Sequence, residues 1–335
     1  MRTIRNSNVA VVGGAGFLGS HLVNHLIEDR GCQVLVIDNL CAGHKKFIHK
    51  DATFEHHDIT GSEEHLKDIF AAYQSQYVFN YAAWPYVPNS YERPLHVCNV
   101  NFMGALKVIN AAQEAGVDAI LQVSSAEVYG DERCKRAADA WGKINEQAPI
   151  TPRSSYGASK AAIDALIPIR WQEARTPCIA LRQFNCVGER ETHPYVVPEI
   201  ISQLHQAVNY QDPPTVKLGN NSARDFLYAG DAVRLAVLLL ERGTFGEVYN
   251  LGSEKTIMIY PLAALIGTIM GHQHVRVEVD QSRLRPWEIW HLQSDNTKIY
   301  RALGENRPLV PLKDALTRTV EYFHQNNNRW DWQPN

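Results

Sequence analysis

Tyr156 and Lys160, in the run Tyr156-Gly-Ala-Ser-Lys160, are four residues apart, which sets them on one face of a helix. A tyrosine of ordinary pKa, near 10, is mostly protonated at neutral pH, and a neighbouring ammonium favours the phenolate. The pair is therefore a candidate general base. Ser124 and Ser125 close an apolar run over residues 119–123, where a hydroxyl can bond the same substrate oxygen. Alone, Tyr-x-x-x-Lys is a frequent accident and reads equally well as an exposed i, i+4 pair.

A second pattern raises its weight. Gly13, Gly16 and Gly19 are spaced Gly-x-x-Gly-x-x-Gly directly after the apolar run 9–12 and at the start of a helical stretch. Glycines there permit a tight turn and let backbone N–H groups approach a pyrophosphate at the helix N-terminus, where the dipole favours anions. The next apolar run, 34–37, ends in Asp38. A carboxylate at that place accepts both ribose hydroxyls and repels a 2′-phosphate, which selects NAD over NADP. The plainer reading of Asp38 is a turn acid before Asn39.

The elements that must position these groups follow from the apolar pattern. Strand-length runs over 9–12, 34–37, 77–81 and 119–123 alternate with helical stretches over 20–29, 63–74 and 100–114. That alternation predicts βαβ units in an α/β fold, a Rossmann-type, doubly wound parallel sheet. A helix from near Ser155 leads to a further strand over 179–184, and Pro168 inside that helix predicts a kink. After about residue 190 proline-rich and polar loops interrupt shorter elements. The expected division is an NAD-binding domain over 1–185, with returning segments near 224–252, and a smaller C-terminal lobe mainly over 186–335.

Composition excludes several function classes. Of 335 residues, 45% are hydrophobic and 21% charged, ordinary for a folded globular chain. A net charge of −3 gives no global field for nucleic acid or an anionic membrane. Six scattered cysteines without a Cys-x-x-Cys pair read as reduced thiols. Fourteen histidines include His56-His57, yet no His-Glu-x-x-His or Cys/His cluster occurs, so no metal site is expected. The apolar run near the N-terminus is too short for a signal peptide, and a cytoplasmic protein is expected.

With these residues in place, the chain resembles the extended short-chain dehydrogenase/reductase family, the NAD-dependent nucleotide-sugar epimerases and dehydratases. The resemblance rests on Gly13-Gly-Ala-Gly-Phe-Leu-Gly19, Val36-Ile-Asp38-Asn-Leu40, Asp58-Ile59, Ala82-Ala83, Val87-Pro-Asn-Ser90, Asn101, Ser124-Ser-Ala-Glu-Val-Tyr-Gly130, Tyr156 to Lys160, Leu181-Arg-Gln-Phe-Asn185, Arg224-Asp-Phe226 and Arg285-Pro286. It implies a sheet of about seven strands, a C-terminal substrate lobe and a homodimer packed through helices starting near Asn101 and Tyr156. It makes Ser125, Tyr156 and Lys160 the catalytic set. It lines NAD with Gly13, Gly16, Phe17, Leu18, Asp38, Asn39, Asp58, Ile59, Ala82, Asn101, Tyr156 and Lys160. Ser125, Asn185, Arg224 and Arg285 match positions that hold the nucleotide sugar, the arginines suiting its diphosphate; their plainer alternative is a surface salt bridge. Three departures stand out: Asn80-Tyr-Ala-Ala83 for His-Leu-Ala-Ala, Cys186-Val-Gly-Glu189 for Val-Tyr-Gly-Pro, and Gly230 for the acid before Asp231.

The resemblance implies a 4-keto sugar intermediate and leaves the subsequent reaction to local residues. Dehydratases and uronic-acid decarboxylases carry an acid at the place of Glu127, and dehydratases a further acid at the place of Ala126. The signature is therefore half present. If the strand continues extended through residue 127, Ser125 and Glu127 face one side and Ala126 the other. The loop 191–198 and the segment 285–298 look more like the dehydratase branch. A 4,6-dehydratase is the leading expectation, with a 4-epimerase, a decarboxylase and a non-catalytic NAD sensor as alternatives. The plainer reading of Glu127 is a solvated loop carboxylate near Asp131 and Glu132.

Overall fold

The computed structural model describes residues 2–131, 142–191, 193–207, 213–285, 287–304 and 308–331. Its strands are β1 (Asn8–Val12), β2 (Gln33–Asp38), β3 (Thr53–His56), β4 (Tyr77–Asn80), β5 (Ala119–Ser125), β6 (Cys178–Gln183), β7 (Asn185–Val187), β8 (Thr215–Leu218), β9 (Ala223–Tyr228), β10 (Val248–Leu251), β11 (Thr256–Met258), β12 (Arg276–Val279) and β13 (His291–Leu292). Seven of them make one parallel sheet in the order β10-β6-β5-β4-β1-β2-β3.

Both faces of this sheet are covered, which explains why its inner strands are apolar without alternation. In β1, Val9 and Val11 pack to one side with the helices Phe17–Asn24 and Ala229–Arg242. Ala10 and Val12 pack to the other with Glu63–Ala72, Ala105–Glu114 and Ser155–Ala174. The order of strands reverses between β1 and β4, and such a switch opens a crevice at the carboxyl ends of the strands.

Two sheet strands are absent from the sequence reading. The edge strand β3 has four residues, none fully buried, so it carries no apolar run. The other, β10, returns to pair with β6 from far along the chain. Pro168 lies within the helix Ser155–Ala174, which spans 20 residues. Ser154 caps that helix, accepting from the Gly157 N–H at 3.0 Å, and so fixes the turn that presents Tyr156.

A separate core unites the helices Val196–Ala207, Ile259–Ile269 and Leu312–Gln325 with β8 and β9. Within this lobe β9 pairs with β7, β11 and β13, which sets Arg224 in the middle of a small sheet. Among the described residues no helix is long and apolar enough to cross a membrane.

Candidate active site

The glycine turn is fixed by close backbone approach. Gly13 has a φ of +79°, and a Cβ there would lie 2.5 Å from the Ala82 nitrogen. A Cβ on Gly19 would lie 2.0 Å from the Gly13 oxygen. Gly16 caps the helix Phe17–Asn24 without a side-chain bond, so the first N–H groups of that helix keep their dipole end clear. Leu18 is half-buried and Phe17 meets His21 edge-on at 5.7 Å.

Asp38 does more than end a strand. Its carboxylate accepts from the Ala15 N–H at 3.0 Å and the Leu40 N–H at 2.8 Å, tying β2 to the glycine turn. Burial raises its pKa, and these two backbone bonds oppose the shift. Two carboxylate oxygens retain further acceptor sites for ribose hydroxyls. Asn39 donates to Asp58 at 2.8 Å, and Thr60 donates to the same carboxylate through N–H and hydroxyl. Ile59 is buried against Gly104. The Ala82 N–H is held by Asn80 at 3.1 Å. Asn101 is fully buried, and both ends of its amide bond the backbone of Trp84, at 2.7 and 3.2 Å. It therefore fastens the segment that follows β4.

Ser125, Tyr156 and Lys160 are brought together. All three are buried, and the Ser125 hydroxyl bonds the Tyr156 phenol. Burial pushes Tyr156 up to about 12; the Ser125 bond works against this and the charge of Glu127 adds to it. Lys160 donates to the Val123 carbonyl at 2.9 Å, and burial lowers its pKa to about 8, with Asp164 opposing. Desolvation is the largest influence on Tyr156 in this structure.

The extended continuation through residue 127 is also corrected. Ser125 is extended, but a 3₁₀ turn over Ala126–Tyr129 begins immediately, with the Glu127 N–H donating back to Ser125 Oγ at 3.2 Å. The turn packs Ala126 with Val128, Tyr129, Phe184 and Ile289. Glu127 instead approaches Arg285, Oε1 to Nη1 3.6 Å.

Asn185 opens β7 and is exposed. Arg224 and Arg285 converge through a residue the sequence reading left without a role. Glu288 accepts from Arg224 Nη2 at 2.8 Å and lies 4.0 Å from Arg285 Nη1, and it also accepts from Asn220 at 3.0 Å. The signal was present: an acid three residues after Arg285, in reach of it. Pro286 of that motif and Glu132 lie outside the described residues.

Residues 9–252 match the model of the NAD dependent epimerase/dehydratase family. The chain belongs to that family. Among relatives, dTDP-D-glucose 4,6-dehydratase of Homo sapiens is 29% identical, over 96% of this chain and 91% of the relative. A putative UDP-glucose 4-epimerase of Methanocaldococcus jannaschii is 30% identical, over 96% and 99%. A solved structure of dTDP-glucose 4,6-dehydratase from Streptomyces venezuelae with NAD bound has a TM-score of 0.84 at 26% identity, covering 97% of this chain and 99% of that one.

The protein is accordingly an NAD-dependent enzyme with a Rossmann-type sheet. Its residues fit the cofactor. The approach of Gly13 to Ala82 leaves no room for side chains at the turn, and the uncapped helix end and Asp38 bracket it as a pyrophosphate and a ribose require.

Proposed function

We propose that this family member modifies a nucleotide sugar through a 4-keto intermediate, as a 4,6-dehydratase. The observation that carries the branch is Glu127, a carboxylate 15% exposed, 3.6 Å from Arg285 and near enough to raise the pKa of Tyr156. Bound NAD supplies a hydride acceptor that later returns the hydride. Tyr156 takes the C4 hydroxyl proton while Ser125 holds the same oxygen. Lys160 serves as the cation beneath Tyr156 and toward the nicotinamide ribose. Glu127 removes the C5 proton, which the new ketone has acidified. Asn185, Arg224 and Arg285 hold the diphosphate, with Glu288 setting the two guanidinium groups.

Gly13, Gly16, Phe17, Leu18, Asp38, Asn39, Asp58, Ile59 and Ala82 line the cofactor in this reading, and Asn101 supports it through Trp84. The convergence of Ser125, Tyr156 and Lys160 weighs against a non-catalytic sensor. A homodimer is supported by Leu95, Met103 and Ile169, which are 86%, 44% and 45% exposed and lie on or beside helices that start near Asn101 and Tyr156. A cytoplasmic setting agrees with six cysteines that form no pairing framework.

The second reading is a 4-epimerase, favoured by Ala126, which sits among apolar side chains and donates nothing. Glu127→Gln decides between them. With NAD-loaded protein and dTDP-glucose or UDP-glucose, nicotinamide reduction should survive. Exchange of the C5 hydrogen with deuterated solvent and loss of water should each fall about 10²–10⁴-fold. Parent protein that interconverts C4 epimers without C5 exchange establishes the 4-epimerase instead.

A further inference from the structure

Elimination of water needs a proton on the departing hydroxyl as well as a base at C5, and Ala126 offers none. A different carboxyl group is available. Glu191 follows β7, its N–H bonded to the Gly188 carbonyl at 3.3 Å. It is 4% exposed, and one of its carboxyl oxygens is buried without a hydrogen-bond partner among the described residues. A buried polar group left unpaired costs stability, so a purely structural position would be better served by an apolar side chain.

Its surroundings join it to the catalytic tyrosine. Glu191 lies within electrostatic reach of Cys186 and the Tyr195 hydroxyl, and Tyr195 within reach of Tyr156. Tyr86 meets Tyr195 edge-on at 6.1 Å. The next residue, Val87, packs with Trp84 and Tyr156. Glu127 follows β5 while Glu191 follows β6 and β7, and β5 and β6 are neighbours in the sheet. Glu127 thus follows the carboxyl edge that forms the crevice, and Glu191 lies beyond β7, the lobe strand that leaves β6 at that edge.

We propose that Glu191 protonates the departing C6 hydroxyl, taking the place of the acid absent at Ala126. The assignment rests on the dehydratase reading. In this step the C5–H bond breaks, its proton passes to Glu127 and its electron pair forms the C5=C6 double bond. The C6–O bond breaks, and the oxygen leaves as water with the proton of Glu191. Burial holds Glu191 well above the usual carboxylate range, which keeps the proton there to be given. Two carboxyl groups whose settings differ, one beside an arginine and one buried with an unpartnered oxygen, follow the general pattern of base and acid in one site. Protons also balance over the cycle: Tyr156 has gained the C4 hydroxyl proton, and Glu191 is one short.

Glu191→Gln keeps size and polarity and removes the transferable proton. NAD-loaded variant is compared with parent on dTDP-glucose and UDP-glucose, and on the 6-deoxy-6-fluoro analogues of both, whose fluoride leaves without an acid. The variant should melt at the parent temperature, reduce its nicotinamide and exchange the C5 hydrogen within a few-fold of parent. Loss of water should slow at least about 100-fold, and loss of fluoride should stay near the parent rate. Water loss at the parent rate overturns the assignment, and so does fluoride loss as impaired as water loss. Parent protein that neither exchanges C5 hydrogen nor loses water from either sugar removes the dehydratase reading, and this assignment with it.

Discussion

The side of the crevice proposed for the cofactor is made of backbone, whereas the side proposed for the substrate is made of charged side chains from distant segments. On the first, Gly13 and Gly19 leave no space for a Cβ, and Asp38 binds the turn through main-chain N–H groups. On the second, Arg224, Arg285, Glu288 and Glu127 meet from a lobe strand, a loop and the turn after β5. Backbone sites depend on spacing within one short segment and tolerate no substitution at the turn. Side-chain sites depend on how the lobe is folded against the sheet, so identity can change, as at Ala126, while the constellation persists.

The largest effect is expected where the two sides meet. Tyr156→Phe removes the phenolic proton acceptor but keeps the ring that packs on Val87 and Val97. Turnover should fall about 10²–10⁴-fold with NAD affinity retained within a few-fold, as read by steady-state assay and cofactor titration. Turnover within a few-fold of parent would mean that another group takes the proton.

Next comes the substrate side. Arg224 and Glu288 form a buried pair, with side chains 7% and 8% exposed. Glu288→Gln leaves a buried guanidinium without its counter-charge, and breaking such a pair costs about 3–5 kcal/mol. The variant should unfold at lower denaturant, and a nucleoside diphosphate should stabilise it by more than it stabilises the parent. Equal stabilisation of both would show that the arginines do not face the diphosphate.

Legibility in the sequence follows the same division. Gly13, Gly16, Gly19, Asp38, Tyr156 and Lys160 stand at fixed local spacing, so the turn and the helical pair could be read directly, as could the strands β1, β2, β4, β5 and β6. Glu288 and Glu191 could not, because their meaning comes from tertiary surroundings: two arginines for one, burial near Tyr195 for the other. Likewise β10 joins the sheet through pairing with β6, a contact that no local pattern encodes. The 3₁₀ turn at Ala126 was hidden because Ser125 is itself extended and only its side-chain bond to the Glu127 N–H starts the turn.

A smaller effect tests the cofactor side. Asp38→Ala removes both the proposed ribose acceptor and the bonds to Ala15 and Leu40, so NAD should weaken and discrimination against NADP should relax. Hydrogen bonds to a charged group contribute about 1.5–3 kcal/mol, which sets the expected loss at roughly 10–100-fold in NAD affinity. Parent protein that binds NAD and NADP equally would remove Asp38 as the selector.

The smallest effect isolates one side chain on the boundary between the two regions. Lys160 is 2% exposed, and burial lowers it to about 8 from an ordinary 10.5. Between those values the unfolded chain holds a proton that the folded chain has released, so stability rises with pH. Its slope is at most about 1.4 kcal/mol per pH unit. Tyr156 acts in the opposite sense but only above its ordinary value of 10, since the folded chain holds its proton up to about 12. The window from pH 8 to 10 therefore reports Lys160 alone of the two. Denaturant unfolding of parent and Lys160→Met, without added cofactor, should show the parent gaining on the variant across that window. A constant difference would mean that the ammonium remains hydrated, and that the bond to Val123 rather than burial governs this position.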